Sequence, residues 1–162
     1  MNLSDAPAVY FGTQAVLKVY SGPTQVWPVE EASPNLIVNG DFSENTNGWS
    51  VGNGGVLSVS GGAMKLTKGS SSNCFTYQSV PVVAGKTYDI AVEVLESIGN
   101  TGIRLGTGPA QLQYLNSGAY GPRLFTTQFT APSTSNLFLS IVYISSTIGD
   151  YGLYDNISIT EV

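Results

Sequence analysis

Four tyrosines, Tyr77, Tyr114, Tyr120 and Tyr151, are the side chains in this 162-residue sequence best suited to holding a ligand. A tyrosine ring stacks on the apolar face of a sugar. The amides of Gln111 and Gln113 and the guanidinium groups of Arg104 and Arg123 would bond its hydroxyls. The same tyrosines also suit the faces and interfaces of β-sheets. Side chains for catalysis are scarce. The chain has no histidine, which removes a histidine triad, a histidine general base and a histidine zinc site. Glu93 and Glu96 stand three apart and are expected to point to opposite faces of a strand. Asp89, alone on a surface strand, is expected to be solvated. The chain reads as a non-enzyme.

Charge is sparse. Lys and Arg number 6 against 11 Asp and Glu, a net charge of −5, so nothing basic enough for nucleic acid is present. A hydrophobic fraction of 42% suffices for a packed core and argues against disorder. The single cysteine, Cys74, cannot form an internal disulfide, so packing must hold the fold, and Cys74 reads as a buried thiol. No stretch approaches the roughly eighteen consecutive apolar residues of a membrane-spanning helix, and no membrane insertion is expected. Residues 1–8 carry Asp5 and no Lys or Arg, unlike a signal peptide. Synthesis in the cytoplasm without secretion is the expectation.

The elements that must position these side chains fall into two pieces. Residues 9–28 hold a tandem repeat of period ten, Val9-Tyr10-Phe11-Gly12 through Lys18 and Val19-Tyr20-Ser21-Gly22 through Pro28. Each copy reads as strand, glycine-centred turn and strand: one small hairpin per repeat. Tyr10, Val16, Tyr20, Val26 and Trp27 would be its anchoring side chains, because adjacent apolar residues face opposite ways and both faces need cover. Residues 29–34 read as a linker, with Glu30, Glu31 and Pro34 favouring extension.

From Asn35 on, strands are expected over 56–60, 63–67, 74–80, 87–95, 102–106, 110–115, 123–130, 136–144 and 152–160. Turn signals such as Ser60-Gly61-Gly62 and Ala131-Pro132-Ser133 separate them. Alternation in Tyr88, Ile90, Val92, Val94 and in Leu137, Leu139, Ile141, Tyr143 points those residues to a core. Phe42, Trp49 and Ile157 should join them. No window shows a capped 3.6-residue apolar period, so the fold class is all-β, a two-sheet β-sandwich jelly roll with a short N-terminal hairpin arm.

The run Asn35-Leu36-Ile37-Val38-Asn39-Gly40-Asp41-Phe42 with Gly48-Trp49 resembles the opening of jelly-roll carbohydrate-binding modules with a galactose-binding-like fold. Tyr77-Gln78-Ser79-Val80-Pro81 through Tyr88 is similar to that family's strand–turn–strand segment. Leu153-Tyr154-Asp155-Asn156-Ile157-Ser158-Ile159 is similar to its final strand. The resemblance implies a sugar-binding domain over 35–162 and a core place for Trp49. It also implies a structural calcium near Asp41 and Asp155, with Glu44 as a further oxygen donor and no other cofactor. Ser43 departs from the family's acidic residue.

The tandem repeat resembles N-terminal segments of tailed-bacteriophage structural proteins. With the missing signal sequence, it implies a protein on the virion surface, capsid decoration ahead of a tail or fibre position. Its partners would be other virion proteins, a host-surface glycan and further copies of itself, as a trimer. The alternative is a free carbohydrate-binding module of a glycan-degrading system.

Overall fold

The computed structural model describes residues 10–11, 14–15, 19–21, 24–27, 33–70, 72–118 and 120–162. The chain divides into two units, Met1–Ala32 and Ser33–Val162. In the first unit, β1 (Tyr10–Phe11) pairs antiparallel with β2 (Gln14–Ala15), and β3 (Val19–Ser21) with β4 (Thr24–Trp27). Each ten-residue repeat therefore makes one hairpin, as its period implies. Tyr10, Tyr20, Val26 and Trp27 lie on these strands, whereas Val16 lies outside the described residues, as do residues 29–32 of the expected linker.

The second unit is built from ten strands: β5 (Ser50–Gly52), β6 (Gly55–Ser60), β7 (Ala63–Lys68), β8 (Cys74–Val82), β9 (Thr87–Ser97), β10 (Asn100–Gly106), β11 (Leu115–Asn116), β12 (Arg123–Thr130), β13 (Ser135–Ile144) and β14 (Tyr151–Glu161). They form two five-stranded antiparallel sheets. The front sheet has the order β11-β10-β13-β8-β5 and the back sheet β12-β9-β14-β7-β6. No helix occurs among the described residues, and so none is long and apolar enough to cross a membrane. The fold is a β-sandwich jelly roll.

Period-two alternation explains the layering. On β9, Tyr88, Ile90, Val92 and Val94 are buried while their neighbours are not. On β13, Leu137, Leu139, Ile141 and Tyr143 are buried against them. Phe42, Trp49 and Ile157 join the same core. Gly61 and Gly62, at φ of 62° and 87°, close the β6–β7 hairpin in a conformation that side chains disfavour.

One strand expected from the sequence needs correction, and one strand lies where none was expected. Residues 110–114 form a loop and only Leu115–Asn116 are extended, because this segment crosses the sheet face and pairs with β10 only at its end. Ser50–Gly52, whose three residues carry little apolar pattern, form an edge strand on β8.

The three segments that carry the family resemblance meet in space. Asn35 donates to the Ile157 carbonyl at 3.0 Å and accepts from the Ile37 and Ile159 amides, stitching the entry of the domain to β14. The Gln78 side chain on β8 bonds both backbone groups of Val38, at 2.7 and 3.0 Å. Asn39, at φ 52°, reaches the backbone of Asn45, Asn47 and Glu44 and so knots the loop that seats Trp49 against Phe42.

Candidate functional site

The outward surface of the front sheet gathers side chains that no local stretch of sequence would join. The register sets Arg104, Ser140, Tyr77 and Ser50 in one row across β10, β13, β8 and β5. Val142, Phe75 and Gly52 form the row on one side, and Gly106, Phe138 and Ser79 the row on the other. These residues point outward because they alternate with Cys74, Ile103, Leu139 and Ile141, which pack in the core; Ser140 is nonetheless fully buried, with the Ala110 backbone bonded over it. Phe75 and Tyr77 have ring centroids 5.9 Å apart, as do Tyr77 and Phe138. Three half-buried rings thus run diagonally over the sheet. The tip of the Phe75 ring lies over Gly52, where a Cβ would collide with it. Glycine therefore lets the ring settle there, and any larger residue would displace it.

The loop between β10 and β11 borders this strip. Ala110, at φ 58°, donates its amide to Ser140 Oγ at 2.9 Å and accepts from Arg104 Nη1 at 3.1 Å. Gln113 Nε2 donates to Gln111 Oε1 at 2.8 Å, and Thr107 Oγ1 donates to the same oxygen at 3.0 Å. The two glutamines lie over Gly106, and a side chain there would strike both. The arrangement is an apolar aromatic surface beside a wall of amide and guanidinium groups. It can hold a flat, hydroxyl-rich ring by stacking and edge hydrogen bonds.

Of the residues singled out in the sequence, Tyr77, Arg104, Gln111 and Gln113 come together here. The other four do not. Tyr114 packs on Phe129, with centroids 5.6 Å apart, and Tyr120 stacks on Phe125 at 6.0 Å, so both close the open edge of the sandwich. Burial pushes the Tyr120 hydroxyl above its ordinary range. The Arg123 guanidinium lies 4.5 Å from the Tyr120 ring centre. Tyr151 is on the outward face of the back sheet, beneath the Lys65 ammonium at 3.9 Å. Its hydroxyl donates to Glu96 at 2.9 Å, and this bond to a carboxylate raises its pKa.

Phe75 and Phe138 were missed. Their signal was present: each lies two residues from, or directly between, residues already placed on a face.

Glu93 and Glu96 share one face, contrary to the expectation from spacing. Asp155 pairs with Glu93 and Leu153 with Glu96, and a bulge at Leu95 takes up the extra residue. Both are engaged, Glu93 by Asn156 Nδ2 at 2.7 Å and Glu96 by Tyr151.

Asp41 accepts from the Ser43 amide and hydroxyl, and these bonds lower its pKa. Asp41 and Asn156 border a shallow groove with Asn35, Asn39, Ile37 and Ser158, whereas Asp155 bonds the Asn156 amide. Among the described residues no three carboxylate or thiol side chains, Glu44 included, converge as a metal site.

No protein-family model matches this sequence, and no curated protein does. Solved structures are similar to it in fold. The N-terminal cellulose-binding domain of Cellulomonas fimi β-1,4-glucanase C aligns at TM-score 0.60 with 20% identity, over 80% of this chain and 98% of that one. The CBM22-1 xylan-binding domain of Paenibacillus barcinonensis Xyn10C aligns at 0.59 with 18% identity, over 83% and 98%. The fold is that of the carbohydrate-binding-module jelly rolls. The enzymatically active domain of bacteriophage CBA120 tailspike protein 4 also contains such a fold, at 0.56 with 12% identity, over 79% of this chain and 21% of that one.

Proposed function

We propose that this protein is a non-enzymatic glycan-binding module whose ligand lies on the outward face of the front sheet. The observation that carries this reading is the contiguous diagonal of rings Phe75–Tyr77–Phe138 flanked by Arg104, Gln111 and Gln113. Aromatic surface left half-exposed on a rigid sheet is poor use of apolar area unless a ligand covers it. The likeness to domains described as cellulose-binding and xylan-binding supports β-linked polysaccharides as the first ligands to try. The front-sheet strands contain no Asp or Glu, which favours binding over glycosidic hydrolysis in this reading. Affinity electrophoresis of the full chain in gels containing xylan, soluble cellulose derivatives or galactan tests the reading. Retardation should be seen with at least one polymer and should fall about tenfold in affinity in Tyr77→Ala or Phe138→Ala, as loss of one stacking ring costs roughly 1–1.5 kcal/mol. Unretarded wild-type protein across a broad glycan array would refute it.

A second reading places the domain on a tailed-phage particle, as capsid decoration or tail component. The tandem-hairpin arm and the likeness to part of a phage tailspike favour it. The arm would dock on a particle protein, and the copies would associate as trimers. Residues 33–162 contain a complete core of their own. Deleting residues 1–28 should leave that core folded and abolish incorporation into particles; normal incorporation of the truncated chain would overturn this reading.

A further inference from the structure

The front and back sheets differ in charge. The back-sheet strands carry Asp89, Glu93, Glu96, Asp155 and Glu161, whereas the front-sheet strands carry no carboxylate and a single ionised side chain, Arg104. In a chain of net charge −5, the front-sheet strands thus carry no negative charge and one cation. The other described cations are each engaged. Lys65 lies over Tyr151, Arg123 over Tyr120, and Lys86 pairs with Glu161 at 2.7 Å. Lys68 is buried and bonded to the Ser145 carbonyl. Arg104 alone lies on the aromatic face. Its guanidinium makes one hydrogen bond, from Nη1 to the Ala110 carbonyl, and among the described residues no carboxylate pairs with it. Its Nε is buried without a partner. A half-buried guanidinium without a counter-ion is costly, and a bound carboxylate would relieve the cost.

We propose, resting on the glycan reading above, that this face selects polysaccharides bearing carboxylate groups, with Arg104 the residue that reads the carboxylate. The geometry fits a sugar acid. Arg104 and Tyr77 share one cross-strand row with Ser140 between them and Ala110 over Ser140, so their backbones are about 10 Å apart and the guanidinium sits at the Ala110 rim of the aromatic strip. The carboxylate of a uronic acid projects in the ring plane from its edge. A ring stacked on Tyr77 and turned toward β10 directs that group at the guanidinium, whose planar fork matches it. Gln111 and Gln113 then remain for the hydroxyls.

The test compares glucuronoxylan with the same polymer after its carboxyl groups are reduced to alcohols, using the full chain in affinity electrophoresis and titration calorimetry. The native polymer should bind about five- to tenfold more tightly, the increment of a charge-assisted bond, and the gap should narrow as salt is raised. Arg104→Gln should bind the two polymers equally, and Arg104→Lys should keep part of the preference. Equal affinity of the wild-type chain for both polymers overturns this proposal and leaves the glycan site standing. A preference that survives Arg104→Gln also overturns it. Binding to neither polymer nor to any neutral glycan removes the site and this proposal together. The wild-type comparison can overturn the carboxylate preference whether or not the Arg104 variants fold, and Arg104→Lys serves as the second variant that tests the assignment to Arg104.

Discussion

Lys68 shows how one side chain can hold a loop that the sheets leave free. It is 2% exposed at the end of β7, and its ammonium donates to the Ser145 carbonyl. Its backbone bonds Asp150 and Gly149, so strand and loop are tied twice. Ser145 in turn donates its hydroxyl to Asp150. Lys68→Ala should destabilise the protein by about 2–4 kcal/mol, through lost packing of the stem and a half-buried carbonyl left unpaired. Lys68→Met should cost less, since it keeps the stem. Urea denaturation of both variants checks the order, and equal losses would mean that packing plays no part.

At the scale of elements, the β10–β11 loop is held in a strained form by the face it borders. Ala110 occupies the left-handed region at φ 58°, which costs an L-residue roughly 1–2 kcal/mol, and its two hydrogen bonds to Ser140 and Arg104 keep it there. Ala110→Gly should relieve that strain at an unfolded-state entropy cost of roughly 0.5–1 kcal/mol, leaving a net gain of about 0.5 kcal/mol. A lowered melting temperature would show that the alanine methyl is needed. Gly52→Ala acts on the same face from below. The new Cβ must push the Phe75 ring aside, so glycan affinity should fall several-fold while the circular-dichroism spectrum stays that of a β-sandwich. Unchanged affinity would remove Phe75 from the site.

At the scale of the whole molecule, the ionisable core predicts an alkaline limit. Burial raises the pKa of Cys74 above its ordinary 9.0, and burial likewise raises Tyr120, Tyr143 and Tyr154 above 10.0. Each group binds its proton more tightly in the fold than in the unfolded chain. The resulting stability is complete below the ordinary values and is lost as pH rises through them. Without histidine the stability should change little between pH 6 and pH 8 and then decline above about pH 9 to 10. Denaturation midpoints across that range measure it, and a midpoint still constant at pH 10.5 would contradict the burial of these hydroxyls. Cys74 should correspondingly resist thiol reagents until the protein unfolds.

Much of this architecture is legible in the sequence. Alternation along 88–94 and 137–143 specifies which residues face inward, because period two is a property of a single strand. Glycine pairs mark turns by backbone sterics alone, and the ten-residue repeat maps directly onto two hairpins. The candidate site was legible only in part, since Tyr77, Arg104, Gln111 and Gln113 were named for their chemistry and not for their place. Their assembly depends on β8 pairing with β13 and β13 with β10, contacts between residues far apart in the chain. That pairing adds Phe138 to Tyr77, sends Tyr151 to the other sheet and seals Tyr114 and Tyr120 into an edge. A single bulge at Leu95 puts Glu93 and Glu96 on one face. Inward or outward is decided residue by residue within a strand, but which outward residues become neighbours is decided by register, and register is a property of two strands together.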